Sequence, residues 1–169
     1  EFTEIAYALP WPLGLIVPRT QESVYRALSR VLLRVRHAMT LLGSSWNTFR
    51  ALSTALGSPR RARSVGSAAS AAPWLLAVRR RAGPTVSRLS LLRWRLHTAL
   101  GAVEAFWLVD VISARFHELV ERAAHSQDFG DLRRAHIHFV NQLALESFLT
   151  DRAVQRALDH LLRLVHVLG

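Results

Sequence analysis

The chain has 169 residues, half of them apolar and a fifth charged, which is enough for one packed domain and too apolar for wholesale disorder. It contains no cysteine, which excludes a disulfide framework, a thiolate nucleophile and a cysteine-type zinc site. The longest uncharged runs, residues 5–18 and 64–78, carry prolines and fall short of the roughly 18 apolar residues of a spanning helix, so no membrane span is expected.

The formal net charge is +10, and all 22 basic residues are arginine. The charge is unevenly placed: residues 51–100 carry nine arginines and no acid, and no Asp or Glu lies between Glu22 and Glu104. A one-sided basic field steers acidic partners toward it, whether nucleic acid, anionic lipid or acidic protein, and charge alone does not choose among them. Opening at Glu1-Phe2 without a methionine, the chain reads as a fragment or a processed piece.

In chain order, residues 3–17 alternate Ile5, Tyr7 and Leu9 before Trp11-Pro12. Prolines at 10, 12 and 18 predict an extended edge segment or short hairpin. Thr20 then caps a predicted helix running to Leu42, with Gly43 as its stop. Val24, Leu28, Val31, Val35, Met39 and Leu42 make its apolar stripe, and Arg26, Arg30 and Arg34 form a basic row on another face. A short second helix is expected around Trp46, Phe49 and Leu52. Residues 57–83, rich in Ser, Ala, Gly and Arg, predict a flexible basic loop, because residues 57–73 hold too little apolar bulk to offset ordering entropy.

Thr85 is the expected cap of a long helix from Val86 to about Ala124. Its stripe runs through Leu89, Leu92, Leu96, Leu100, Val103, Trp107 and Val111, then shifts onto Ile112, Phe116, Leu119 and Ala123. Asp128 caps a further predicted helix with a buried row of Phe129, Leu132, His136, Phe139 and Leu143. A last helix starts at Thr150-Asp151 and reaches Leu168. The expected fold is an all-α helical bundle with a short extended or hairpin lead-in and one long central helix.

No enzymatic constellation emerges. The run His117-Glu118-Leu119-Val120-Glu121 has the outline of a zinc-protease helix, but Glu121 stands where the second imidazole is required, so it reads as a solvated helix face. His136 lies in an apolar row and reads as a hydrogen-bonded core histidine rather than a ligand. No phosphate-cradling glycine loop, dinucleotide fingerprint or nucleophile elbow is present. No catalytic residue, cofactor or metal is therefore expected. Trp and Phe on the helices are read as core, with Trp11 and Pro12 as structural anchors of the lead-in and Phe116, His136 and Phe139 as anchors of the bundle.

Two stretches resemble the C-terminal domain of the gamma-tubulin complex proteins. The first is Tyr7-Ala8-Leu9-Pro10-Trp11-Pro12-Leu13, followed by Ile16, Tyr25 and Leu32-Leu33-Arg34-Val35-Arg36. The second runs from Trp94-Arg95-Leu96 through Phe106, Asp110-Val111-Ile112, Phe116, Asp128-Phe129, Leu132, Ala135-His136 and Phe139 to Ser147-Phe148-Leu149. The chain departs from the family in Ala105-Phe106, where many relatives have a tyrosine pair, and in Phe116, where many have tryptophan. Its 57–83 segment is also longer than the usual connection.

The resemblance implies that residues 1–169 are the later part of that helical domain. It implies a non-enzymatic scaffold that binds gamma-tubulin and other gamma-tubulin complex components, supporting microtubule nucleation in the cytoplasm at microtubule-organising centres and spindle poles. Because tubulins are acidic, Arg26, Arg30, Arg34, Arg93 and Arg133 are the candidate gamma-tubulin contacts, being fixed on helices rather than on a loop that must be ordered on binding. The rival readings are a basic helical nucleic-acid-binding module and a peripheral membrane module. Neither nucleic acid nor membrane is the expected partner.

Overall fold

The computed structural model describes residues 8–56 and 73–168, which are helical almost throughout. The elements are α1 (Leu13–Ile16), α2 (Arg19–Leu56), α3 (Pro73–Ala105), a π-helical segment (Phe106–Ser113), α4 (Ala114–Ala124), α5 (Phe129–Glu146) and α6 (Arg152–Leu168). The all-α bundle is as the periodicity predicts, but several boundaries are not.

The described part of the lead-in is not extended: Trp11-Pro12 forms a turn with a cis peptide bond that enters α1. The prolines start this turn rather than preventing it. They lack an N–H, but their carbonyls accept from Leu13 N–H (to Pro10, 2.9 Å) and Leu15 N–H (to Pro12, 2.9 Å). Residues 1–7, with Ile5 and Tyr7 of the alternation, lie outside the described residues. Trp11 is 86% exposed, so it is not a buried anchor, and Pro12 acts as the residue that opens α1.

Helix α2 begins at Arg19, one residue before the expected cap, and continues through Gly43 to Leu56. Gly43 fails as a stop because the stripe resumes beyond it and α3 packs along the same face. Leu42 is fully buried, and the Arg93 guanidinium donates to its carbonyl at 2.9 Å. Helix α3 likewise starts well before Thr85, running through Gly83 and Pro84 with Val86 buried against the bundle. The basic segment from Pro73 to Gly83 is therefore helical, not loop, while residues 57–72 lie outside the described residues.

Helices α2 and α3 form an antiparallel pair. Arg36 meets Glu104 at 3.3 Å, Met39 lies against Gly101, and Leu42 meets Arg93. Helix α6 runs parallel to α2, since Arg34 pairs with Asp159 at 2.5 Å and the His37 ring lies 6.0 Å from His166. Helix α5 crosses the first turns of α2 and returns antiparallel to α4, with Arg115 donating to Glu146 at 2.9 Å. The core at their meeting point holds Val35, Leu42, Leu100, Trp107, Leu143 and Val165.

The long helix is continuous from Pro73 to Ala124, and the π-helical segment accounts for its shifted stripe. Trp107 and Val111 are buried; had the helix stayed α, Ala114, Arg115 and Glu118 would follow them inward. The wider i→i+5 turns rotate the chain so that Ile112 and Leu119 pack on the core instead. Phe116 remains 56% exposed, its ring edge-on to that of Phe139 at 6.4 Å, so it is not a buried anchor.

The two aspartate caps are present, whereas Thr20 and Thr85 lie inside helices that begin earlier. The Asp128 carboxylate accepts from Asp131 N–H at 2.7 Å, and Asp151 accepts from Ala153 and Val154 N–H at 2.7 and 3.2 Å. Along α5, His136, Phe139 and Leu143 are buried as expected, whereas Phe129 is half exposed at the entry. Between α5 and α6 the Leu149 N–H reaches the Ala144 carbonyl and the Phe148 N–H reaches Leu145, the paired bonds of a Schellman stop. Phe148 occupies its left-handed position at φ 53, where glycine is usual, and its ring stacks on Phe106 at 6.3 Å.

Candidate partner-binding surface

The arginine row on α2 does not act as one unit. Arg26 pairs with Glu22 at 2.6 Å, one turn earlier, and Arg34 is bridged across the α2–α6 seam to Asp159. Arg30 is exposed and shares an open cleft of about 400 Å³ with Arg19, Glu22, Ser23, Arg26 and Ala27. Arg93 is fixed by its bond to the Leu42 carbonyl, and its guanidinium lies 4.7 Å from the Trp46 ring centre, a cation–π contact. Arg133 is exposed on α5 with no ion pair among the described residues. Of the five candidates, Arg34 and Arg93 thus hold helices together, Arg30 and Arg133 are exposed, and Arg26, paired with Glu22, is half-buried.

His136 sits at the junction of α2 and α5. Its Nδ1 is 2.9 Å from Gln21 Oε1 and its Nε2 is 2.9 Å from the Tyr25 hydroxyl. In the neutral Nδ1–H tautomer the ring donates to Gln21 and accepts from Tyr25, so both nitrogens are satisfied. Burial holds the His136 pKa below its ordinary value and pushes the Tyr25 phenol up to about 12. This is a core histidine, as its apolar row predicts. His117 and Glu121 lie 3.4 Å apart on an exposed face of α4, and among the described residues no group of three His, Asp or Glu side chains has metal-binding geometry.

Sequence spacing did not bring Arg34 together with Asp159, Arg163 and His166, yet these line a cavity of about 200 Å³ at the α2–α6 seam, with the His37 ring 6.0 Å from His166. A second feature absent from the sequence reading is an open groove of about 530 Å³ between the π-helical segment and the α5–α6 turn. Phe106, Val111, Leu145 and Phe148 line it, with Asp110, Glu146 and Asp151 at its rim. Both bring together residues more than 30 positions apart, and no local pattern announces them. The expectation that helix aromatics are core also fails for Trp46 and Trp94, which stand at the surface. No described helix is long and apolar enough to cross a membrane.

With a fully bonded interior histidine and no strand among the described residues, the chain is of the all-α helical-bundle class. The family model for the gamma tubulin complex component C-terminal region matches residues 1–168, and the chain belongs to that family. It is similar to the human and mouse proteins named gamma-tubulin complex component 4, each 24% identical over 166 residues, or 96% of this chain. The chain spans about a fifth of the length of these curated relatives (20% in each).

Proposed function

We propose that this chain is part of a non-enzymatic scaffold that binds gamma-tubulin, assembles with other gamma-tubulin complex components and supports microtubule nucleation at microtubule-organising centres and spindle poles in the cytoplasm. The family match across residues 1–168 carries this reading. The named relatives are components of the gamma-tubulin complex, and among the residues on which the resemblance rests Val35, Leu96, Val111 and Phe139 are buried in the core of the bundle. No cofactor is required by such a role.

Arg26, Arg30 and Arg133 are the proposed contacts. They are preorganised on helices, and gamma-tubulin, like tubulins generally, is acidic. Arg34 and Arg93 contribute by holding α2 against α6 and α3. In the full-length protein, capture of gamma-tubulin is the deciding measurement, and its absence overturns the reading. The variant Arg30→Glu/Arg133→Glu should slow association several-fold, most visibly at low salt, with an unchanged circular dichroism spectrum. Wild-type capture by this variant at every salt concentration would move the interface off these residues.

A further inference from the structure

We infer that the outer half of the α2–α3 pair is a docking arm for an acidic protein segment that carries leucine or aromatic residues among its carboxylates. His166 lies level with His37 on α2, and past that level residues 43–54 of α2 and 80–95 of α3 form a two-helix arm. Its described side chains include Arg50, Arg80, Arg81, Arg88, Arg93 and Arg95 and not one carboxylate. None of these arginines has an ion pair among the described residues; Arg93 is held instead by the Leu42 carbonyl and the Trp46 ring.

The same arm exposes Trp46, Leu52, Leu91, Leu92 and Trp94. On α3, Leu91 lies between Arg88 and Arg95, three residues before and four after it, so charge and apolar surface alternate on one helix face. That mixing decides the occupant. A membrane-surface helix needs its arginines opposite a separate apolar stripe, which this face lacks. A nucleic-acid backbone gives exposed leucines nothing to bury against. An acidic segment with interspersed leucine or aromatic side chains satisfies both sets of groups at once.

This inference goes beyond the gamma-tubulin reading. The arm is a different surface from Arg30 and Arg133, and peptide binding tests it without gamma-tubulin, so the two can fail separately.

The test titrates the full chain, at low and moderate salt, into a fluorescein-labelled synthetic helix with Glu and Leu alternating along one face. A scrambled peptide of the same composition, polyglutamate, a DNA duplex and phosphatidylserine vesicles are run in parallel. The designed peptide should bind most tightly, and Arg88→Glu/Arg95→Glu and Leu91→Ser/Trp94→Ser should each weaken it roughly tenfold. Arg30→Glu, on the bundle, should leave it unchanged. Should charge reversal disturb the circular dichroism spectrum, Arg88→Gln/Arg95→Gln supplies the reading. Equal binding of the scrambled peptide or polyglutamate reduces the arm to a basic field and overturns the inference. Tighter binding of DNA or vesicles, or indifference of the peptide to the arm variants, overturns it as well.

Discussion

At the scale of single residues, exposure and partners decide roles that residue type alone suggests wrongly. Trp11, flanked by prolines, has the look of a core anchor, yet its ring is largely in solvent. Trp11→Ala should therefore cost less than about 0.5 kcal/mol, as surface changes do, and not the 3–5 kcal/mol of a buried ring; thermal melting measures the difference. His136 keeps its neutral ring between Gln21 and Tyr25 because burial lowers its pKa. The unfolded chain, with an ordinary histidine, takes up a proton near pH 6.5 before the folded one does. Its contribution is thus present above that pH and is lost as pH falls toward the folded value. Melting followed from pH 7.5 down to 5 should show this loss, and His136→Gln, which cannot titrate, should flatten the curve. A variant as acid-sensitive as the parent would assign the dependence to other groups.

At the scale of elements, the helices run on wherever a neighbour continues to cover them. Gly43 stops nothing because it lies between Leu42, which is fully buried, and Ser45, which is also buried and donates to the Leu42 carbonyl at 3.0 Å. A methyl group at Gly43 would meet nothing within 4 Å. Gly43→Ala should consequently stabilise the protein by about 0.5–1 kcal/mol through helix propensity, seen as a higher melting temperature. The two caps are legible because they are local: Asp128 and Asp151 each lie within three residues of the amides they satisfy. Asp128→Ala should cost about 1 kcal/mol in denaturant unfolding. The Schellman stop at Phe148 carries no such signal, because the residue that signals it elsewhere is glycine. Here the stack on Phe106, from a helix some forty positions away, accompanies the unusual backbone.

At the scale of the molecule, apolar surface is left open at several places. Leu145, Val109, Phe116 and Val167 are all exposed in addition to the arm residues, and the apolar groove beside Phe106 and Phe148 is open. Surface of this extent favours association. Light scattering on the chain at rising concentration should show a growing average mass, and a constant monomer mass across the range would contradict this. The charge is segregated as well: the basic residues cluster on the arm and along α2, whereas nine of the twelve acids follow residue 103. Association driven by apolar contact should persist in salt, which separates it from attraction between the basic and acidic halves.

The sequence by itself determines the all-α class, the stripes of the helices, the two aspartate caps, the core position of His136 and Phe139, and the family resemblance. Each of these rests on residues close together in the chain or on an ordered series of motifs. Tertiary structure decides where helices end, because packing of α3 on α2 outweighs the roughly 1 kcal/mol that Gly43 costs and carries α3 through Pro84. It also decides which arginines are structural. Arg34 lies in the same helical row as Arg30, and the approach of Asp159, 125 positions away, ties it to α6, as the Leu42 carbonyl, 51 positions away, ties Arg93 to α2. Helical periodicity places a side chain on a face; whether that face meets another helix or solvent depends on contacts across the chain, which no local pattern encodes.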